Sequence, residues 1–106
     1  MAALDPTRGS EQAGTRPVII VSRNAINQHG AVVVVVPLTG SEHKRKIYPS
    51  QVLLRAGEGG LRKDSVALCE QLRAVSKERL GTSLGHLSLT RMGEVSEAIR
   101  IALDLD

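Results

Sequence analysis

The chain has 106 residues, of which 42% are hydrophobic and 24% charged, and its net charge at pH 7 is +3. This length and composition predict a single domain, residues 1–106, and no apolar run is long enough to span a bilayer, so no membrane partner is expected. The charge is unevenly placed, with −3 over residues 92–106 and +6 over the remainder. A basic body favours a polyanionic partner, although ordinary surface charge explains a net +3 equally well.

The rarest residue types exclude several kinds of site. Cys69 is the single cysteine and cannot form an internal disulfide, and the opening MAALDPTRGS lacks the basic start and apolar core of a secretory signal. A reducing, cytoplasmic location is therefore expected. Tyr48 is the only aromatic residue. Modules that stack RNA bases need several exposed rings, so any RNA contact here has to use cations, backbone donors and shape.

The first half of the chain predicts a loop followed by strands. Residues 9–17, GSEQAGTRP, are predicted to form a loop, because glycines and a proline surround the polar residues. A strand is predicted over 18–22, a turn at NQHG (27–30) and a second strand over 31–39. The second strand, AVVVVVPLT, is apolar throughout, so both of its faces should be buried. A third strand is predicted over 47–54, broken or bulged at its proline.

The second half of the chain predicts a long strand and a terminal helix. GEGG (57–60) should be a flexible turn, and residues 65–75 alternate as one long strand. Residues 76–81 predict one helical turn, capped by a serine and ended by a glycine, and residues 82–89 a short strand or irregular link. From Thr90 the apolar period is helical, which predicts a C-terminal amphipathic helix with a stripe formed by Met92, Val95, Ile99, Ala102 and Leu103. About five short strands and one helix indicate a mainly β fold, either a small barrel or a strongly bent sheet.

No motif for metal or nucleophilic catalysis is visible. His29, His43 and His86 are scattered without metal-ligand spacing, and no Ser-His-Asp pattern, Cys-His pattern or P-loop occurs. We therefore expect neither a metal nor a cofactor. The tract EHKRK (42–46) can meet phosphates, or it can be a solvated hairpin loop.

Several segments together resemble the MazF/PemK family of toxin–antitoxin ribonucleases. They are LDPTRGSEQAGTRPVIIVS, VVVVPLT, LRKDSVALCEQLRAVSKERLG and an LG-LS pattern before the helix, and they run from Leu4 to the C-terminus. The loop pattern Gly-Ser-Glu-Gln-x-Gly-x-Arg-Pro and the strand pattern Ser-Val-x-Leu-x-Glu-Gln-x-Arg are specific in combination. Neither pattern alone would indicate the family.

This resemblance implies a compact SH3-like barrel with a short helical turn and a C-terminal helix, working as a homodimer. It implies metal-independent endoribonuclease activity that cleaves single-stranded RNA at short sequence motifs and so inhibits translation. It also implies neutralisation by a cognate MazE-like antitoxin. Family members usually begin with an extra strand before the Leu-Asp-Pro segment, whereas only MAA precedes Leu4. Either the chain is truncated, its start was placed late, or this member closes its barrel differently. A barrel that lacks this strand would have an open sheet edge.

The resemblance gives the loop before the first apolar strand a chemical role. In-line cleavage of RNA by its own 2′-hydroxyl passes through a strongly negative phosphorane, which requires positive charge at the phosphate. Arg16 is the expected donor, because a guanidinium can bond two phosphate oxygens at once. The family places a threonine opposite this arginine, and the matching residue is Thr39, whose hydroxyl can bond a phosphate oxygen or relay a proton. Arg16 and Thr39 are the predicted catalytic residues.

Five other polar residues are candidates for RNA binding: Glu11, Gln12, Ser41, Gln71 and Arg73. Glu11 is also a candidate for the base that removes the 2′-proton, and Glu11 and His86 are next in line if Arg16 is not catalytic. Simpler explanations exist for some of these residues. Glu11 can pair with an arginine, and Gln71 and Arg73 can be solvent-facing strand residues.

Two other functions fit the sequence less well. The gyrase-poisoning CcdB toxins share the fold but act through a Trp-Gly-Ile C-terminus, whereas this chain ends Asp104-Leu105-Asp106 and has no tryptophan. A non-catalytic SH3-like interaction module would have no reason to carry Arg16 together with Thr39.

Overall fold

Seven β strands and two α helices make up the part of the chain that the computed structural model describes, namely the backbone of residues 8–12 and all of residues 16–105. The strands are β1 (Arg8–Gln12), β2 (Pro17–Ile20), β3 (Val32–Gly40), β4 (Gln51–Leu54), β5 (Ser65–Leu68), β6 (Arg73–Ser76) and β7 (Leu80–His86). The helices are α1 (Asn24–His29) and α2 (Leu89–Leu103). The prediction of a mainly β fold with a C-terminal helix is confirmed.

Strand β3 is the centre of an antiparallel sheet. The strands follow the order β4-β5-β3-β2-β1-β7, and β6 also pairs with β3. β2 lies along one edge of β3. The other edge is shared by β6, opposite residues 32–35, and by β5, opposite residues 38–40.

Strand β3 is buried on both faces from Val35 to Leu38, whereas Val32 at its start is exposed. Val36 belongs to an apolar cluster that α2 covers with Val95 and Ala98. Its neighbour Val35 belongs to a second cluster, together with Val75 of β6. Because side chains alternate across a strand, a continuous apolar run fits a strand covered on both sides. The predicted burial of both faces is confirmed for the middle of the run and is wrong for its start, where Ala31 and Val32 are exposed.

The turn predicted at 27–30 was wrong, because this segment is the end of helix α1. A buried polar network holds the helix against β3. The Asn27 side-chain amide donates to the Ser22 carbonyl at 2.9 Å, and the Ser22 hydroxyl donates to the Asn27 side-chain oxygen. The same hydroxyl accepts the N–H of Val34 at 3.0 Å. Hydrophobic periodicity does not reveal such a network, so the turn propensity of Asn and Gly misled the prediction.

The strand predicted over 47–54 begins only at Gln51. The N–H of Gln51 donates to the Tyr48 carbonyl at 2.9 Å, and its side-chain oxygen accepts the N–H of Tyr48 at 3.2 Å. These two bonds close a turn around Pro49. Proline has no N–H to contribute to a strand ladder, so the turn prevails over the strand.

The long strand predicted over 65–75 is instead two strands, β5 and β6, separated by a 3₁₀ turn at Cys69–Gln71. The turn falls opposite Val36 and Pro37, between the stretches of β3 that pair with β6 and with β5. Pro37 has no N–H, so a continuous ladder along β3 would lack a donor at this point. The prediction identified the right segment but missed its interruption.

The helical turn predicted over 76–81 is present as a 3₁₀ turn of three residues. Ser76 caps it as predicted, since its hydroxyl accepts the N–H of Glu78 at 3.4 Å. Gly81 does not end the turn, because it already lies inside β7. The segment 82–89, predicted as a short strand or irregular link, begins within β7 and ends at the start of α2.

Residues 8–12 form strand β1, so the loop predicted over 9–17 was wrong for this part. Glu11 pairs with Pro17 of β2, and Gln12 pairs with Leu80 of β7. Glycine, serine and glutamate have low strand propensity, but pairing on both sides overrides that preference. Residues 1–7 and 13–15 lie outside the described residues. The loop at 13–15 and the absence of the family's extra first strand therefore stay predictions.

Helix α2 is confirmed within one residue of its predicted start. Ser88 caps it by accepting the N–H of Arg91 at 3.1 Å. Val95 of the predicted stripe is buried, and so is Ala98, which was not assigned to it. Leu103 of the predicted stripe is 51% exposed. Within the described part of the chain, no helix is both long and apolar enough to cross a membrane.

Candidate active-site cleft

An open cleft of about 650 Å³ lies beside the start of β2 and the end of β3. We call it the basic cleft. Its apolar lining includes Pro17, Leu38, Leu61 and Leu84. Its polar lining consists of Arg16, Thr39, His43, Arg62, Lys63 and Ser65, with Gly40 and Gly60 completing the described lining. An apolar surface with a few convergent polar groups is the usual composition of a ligand site.

The pairing of β2 with β3 brings Arg16 and Thr39 to the same place. Val18 is paired with Pro37 in this antiparallel ladder. Continued by two residues, the same register sets Arg16 opposite Thr39. Arg16 is exposed and Thr39 is half buried, and both line the basic cleft. Two residues that are far apart in the sequence therefore line the same cleft.

Strand β1 carries the two N-terminal candidates next to this pair. Glu11 is paired with Pro17, the residue that follows Arg16. Gln12 is paired with Leu80 of β7. The backbone of both residues therefore lies between β7 and the start of β2, close to Arg16, while the side chains of both lie outside the described residues.

The other three candidates are absent from the described lining of the cleft. Ser41 is half buried and begins the 3₁₀ turn after β3, where its N–H donates to the Asp64 carbonyl at 3.0 Å. Gln71 is exposed in the turn before β6. Arg73 is exposed and pairs with Val35, four residues before Thr39, or about 13 Å along the strand.

Four polar residues of the cleft were not among the predicted site residues: His43, Arg62, Lys63 and Ser65. The last three directly precede or begin β5, which pairs with β3 so that Ser65 faces Gly40. These three residues are close together in the sequence LRKDS, but only the pairing of β5 with β3 brings them near Thr39. Hydrophobic periodicity does not specify which strands pair, so the prediction missed them.

Carboxylates neutralise some of the positive charge around the cleft. Lys63 donates to Glu42 at 2.8 Å, and this hydrogen bond lowers the pKa of the Glu42 carboxyl. His43 lies 3.4 Å from the same carboxylate. Arg16 and Arg62 form no ion pair with any described carboxylate. These two guanidinium groups are therefore available to an anion.

The buried cysteine is unsuited to nucleophilic chemistry. Cys69 is fully buried in the core, and burial raises the pKa of its thiol to about 12. Such a thiol stays protonated and inert at neutral pH. No group of three His, Cys, Asp or Glu side chains that could hold a metal occurs among the described residues.

Comparison with known proteins gives the same family from sequence and from structure. A family model of PemK-like, MazF-like toxins of type II toxin–antitoxin systems matches residues 1–103. Endoribonuclease MazF of Staphylococcus saprophyticus is 43% identical over 105 residues, covering 99% of this chain and 87% of that protein. A mycobacterial endoribonuclease structure matches with a TM-score of 0.83 and 30% identity over 99% of this chain and 95% of its own. A mycobacterial endoribonuclease in complex with its cognate antitoxin matches with a TM-score of 0.80 and 29% identity, over 94% of each chain.

These matches, together with the fold and the cleft, define a toxin of the type II toxin–antitoxin class. More narrowly, the chain belongs to the PemK-like, MazF-like toxin family. The predicted family and its endoribonuclease class are confirmed. The CcdB-like and interaction-module alternatives are not favoured.

Proposed function

We propose that the protein is a toxin domain, residues 1–106, that cleaves single-stranded RNA at short sequence motifs in the basic cleft, without a metal ion. The observation that carries the proposal is the register that sets Arg16 opposite Thr39 in a cleft lined by further cations. A membership in the MazF-like family and a 43% identical Endoribonuclease MazF support it. Cleavage of messenger RNA in the cytoplasm would inhibit translation and growth.

The proposed reaction is an in-line transfer within the RNA itself. The 2′-hydroxyl loses its proton to a base and its oxygen attacks the adjacent phosphorus. The bond to the 5′-oxygen of the next nucleotide breaks, and this oxygen takes up a proton. A 2′,3′-cyclic phosphate and a 5′-hydroxyl result. Arg16 stabilises the phosphorane by bonding two of its oxygens, since its guanidinium remains charged. Thr39 bonds a phosphate oxygen or relays a proton.

The surrounding polar residues are proposed to hold the RNA strand. Glu11, whose backbone pairs with Pro17, remains the candidate base for the 2′-proton. Ser41 lies next to the cleft. Arg73 of β6 pairs with Val35 of β3, and Gln71 is exposed in the turn before β6. The backbone of Gln12 pairs with β7. The positions of these residues suit contacts with nucleotides that flank the cleavage site.

We also infer that the strands curve into an SH3-like barrel. One apolar cluster contains Ile20 of β2, Val35 of β3, Val75 of β6 and Leu80 of β7. β7 pairs with β1, β6 pairs with β3, and only a three-residue turn separates β6 from β7. Along the pairing sequence β6-β3-β2-β1-β7, the two outermost strands therefore border the same cluster, as in a barrel.

A homodimer and an antitoxin are the proposed protein partners. Val32, Ile101 and Leu103 are 46%, 47% and 51% exposed, and this apolar surface suits a two-fold interface. The basic body outside residues 92–106 is suited to an acidic, partly disordered segment of a cognate MazE-like antitoxin. A related mycobacterial endoribonuclease was solved with its cognate antitoxin, which supports this partner.

The decisive test is a cleavage assay with purified protein and single-stranded RNA in excess EDTA. We expect RNA fragments with defined ends, and we expect double-stranded RNA of the same sequence to remain intact. The absence of cleavage with and without added Mg²⁺ would contradict the proposed activity. Cleavage that disappears in EDTA and returns with Mg²⁺ would contradict its metal independence.

A further inference from the structure

One wall of the basic cleft is connected to helix α2 by a pair of ion-paired side chains. Glu58 belongs to the glycine-rich turn over 57–60, and Arg91 lies in the first turn of α2. The Nε of Arg91 donates to one Glu58 carboxylate oxygen at 2.8 Å, and a terminal nitrogen donates to the other at 3.1 Å. Arg91 also donates to Glu94 at 2.7 Å. A bidentate pair of this kind fixes the relative orientation of the two side chains as well as the distance between them.

The paired turn continues directly into the cleft wall. Gly60, Leu61, Arg62 and Lys63 all line the cleft, and Glu58 lies just before them in the chain. The Glu58 carboxylate also accepts the N–H of Arg55 at 2.7 Å, which closes the turn on its other side. The position of Glu58 therefore constrains a short segment of backbone that carries the cations Arg62 and Lys63 of the cleft.

A close backbone contact holds the same turn from a second direction. Gly60 has a φ of 81°, and a Cβ atom there would overlap the carbonyl oxygen of Leu84 in β7. The turn thus lies directly against β7 on one side and is tied to α2 on the other. This arrangement leaves few positions open to the segment that follows.

The pair is more protected from solvent than a typical surface ion pair. The side chains of Arg91 and Glu58 are 27% and 29% exposed. For comparison, the pair between Arg100 and Glu97 on the same helix is 53% and 64% exposed and has a separation of 3.5 Å. The hydrogen bonds from Arg91 lower the pKa of Glu58, so the pair is fully ionised at neutral pH.

We propose that Glu58 and Arg91 are positioning residues for RNA binding, which hold the Gly60–Lys63 wall of the cleft in the geometry that receives the RNA backbone. This inference rests on the proposed RNA cleavage in the basic cleft. Neither side chain lines the cleft, so both act through the wall segment. Arg16 and Thr39 are held by the β2–β3 ladder instead, so the pair affects RNA affinity and leaves the chemical step unchanged.

The test measures RNA binding and turnover separately in matched variants. Glu58→Gln removes the charge but keeps an acceptor for the Arg55 N–H, and Arg91→Met keeps an unbranched chain of similar length. Arg100→Met is the control on the same helix. Binding is measured by fluorescence anisotropy with an oligonucleotide that carries 2′-deoxyribose at the cleavage site, and kcat and KM are measured with the cleavable RNA. All assays are run at a temperature at which circular dichroism shows every variant to be folded.

We expect Kd and KM to rise about three- to tenfold in Glu58→Gln and in Arg91→Met, with kcat within about twofold of wild type. The double variant should be no worse than the poorer single variant, because the two residues act as one unit. Arg91→Lys should recover part of the affinity, and Arg100→Met should bind as wild type does.

Three results would overturn the inference: unchanged Kd in Arg91→Met, an equal loss in Arg100→Met, or a loss in kcat with KM unchanged. A loss of thermal stability with unchanged Kd would mean that the pair only stabilises the fold. Failure of the wild type to cleave any RNA would instead contradict the proposed function. The anisotropy measurement keeps these two failures apart, since it does not depend on cleavage.

Discussion

Replacing Arg16 with alanine should slow RNA cleavage far more than it weakens RNA binding. The Arg16 side chain is exposed and forms no ion pair with any described residue, so its removal should leave the fold intact. Losing one preorganised donor to a developing anion costs about 3–4 kcal/mol, which corresponds to about 10²–10³-fold in kcat. Arg16→Lys keeps the charge but loses the bidentate geometry, so it should recover only part of this loss.

The effect on binding should be small because the cleft has other cations. Arg62 and Lys63 line the same cleft. Removing one phosphate contact should reduce the slope of log Kd against log salt by about 0.7 for a single strand. Single-turnover rates give the loss in the chemical step, and anisotropy at several salt concentrations gives the slope. Arg79→Ala, which alters an exposed arginine in a 3₁₀ turn outside the described lining of the cleft, is the control.

A near wild-type rate for Arg16→Ala would refute the assignment of Arg16 as the stabilising group. Arg16 would then be an element for positioning RNA or binding the antitoxin. Glu11 and His86 would be the next residues to replace.

Three further predictions follow from individual contacts. Thr39→Ala should also slow cleavage, and single-turnover rates of the double variant with Arg16→Ala should fall short of the summed losses if both groups act on one phosphate. Gly60→Ala should destabilise the fold by about 2–4 kcal/mol in urea unfolding, because its Cβ would overlap the Leu84 carbonyl at a positive φ. Gly93→Ala, at an exposed helical site with no atom within 4 Å of the added Cβ, should stabilise the fold by about 0.5–1 kcal/mol. A Gly60→Ala variant more stable than Gly93→Ala would contradict the packing. Arg91 holds the pKa of Glu58 below its ordinary 4.5. The contribution of this pair to the free energy of unfolding is therefore complete above pH 4.5 and is lost as pH falls through the lower pKa of the folded state. Unfolding titrations should therefore show a weaker acid dependence for Glu58→Gln, and an unchanged dependence would contradict the pairing.

Much of the fold could be predicted because its signals are local. The apolar run in β3 and the helical period after Thr90 gave a strand buried on both faces and a terminal helix. The wrong predictions depend on contacts between distant residues. Helix α1 rests on the bond between Asn27 and Ser22, and β1 forms because two strands pair with it despite its composition.

Only those residues of the candidate site that belong to a family motif were predicted from the sequence. Arg16 and Thr39 each belong to a quoted motif, and the antiparallel register of β2 and β3 explains why the two motifs occur together. His43, Arg62 and Lys63 reach the cleft through the ends of β3 and β5, whose pairing has no signature in a single sequence. The link between Glu58 and Arg91 spans 33 positions of the chain and could not be found without the structure.

End-group analysis of RNA cut by the wild-type protein in EDTA tests the proposed chemistry most directly. A defined oligonucleotide should yield one fragment with a 2′,3′-cyclic phosphate and one with a 5′-hydroxyl. The same oligonucleotide with 2′-deoxyribose at the cleavage site should remain uncut, because the attacking oxygen is missing. Fragments with 5′-phosphate ends, or cleavage of the deoxy-substituted strand, would contradict in-line attack by the 2′-hydroxyl.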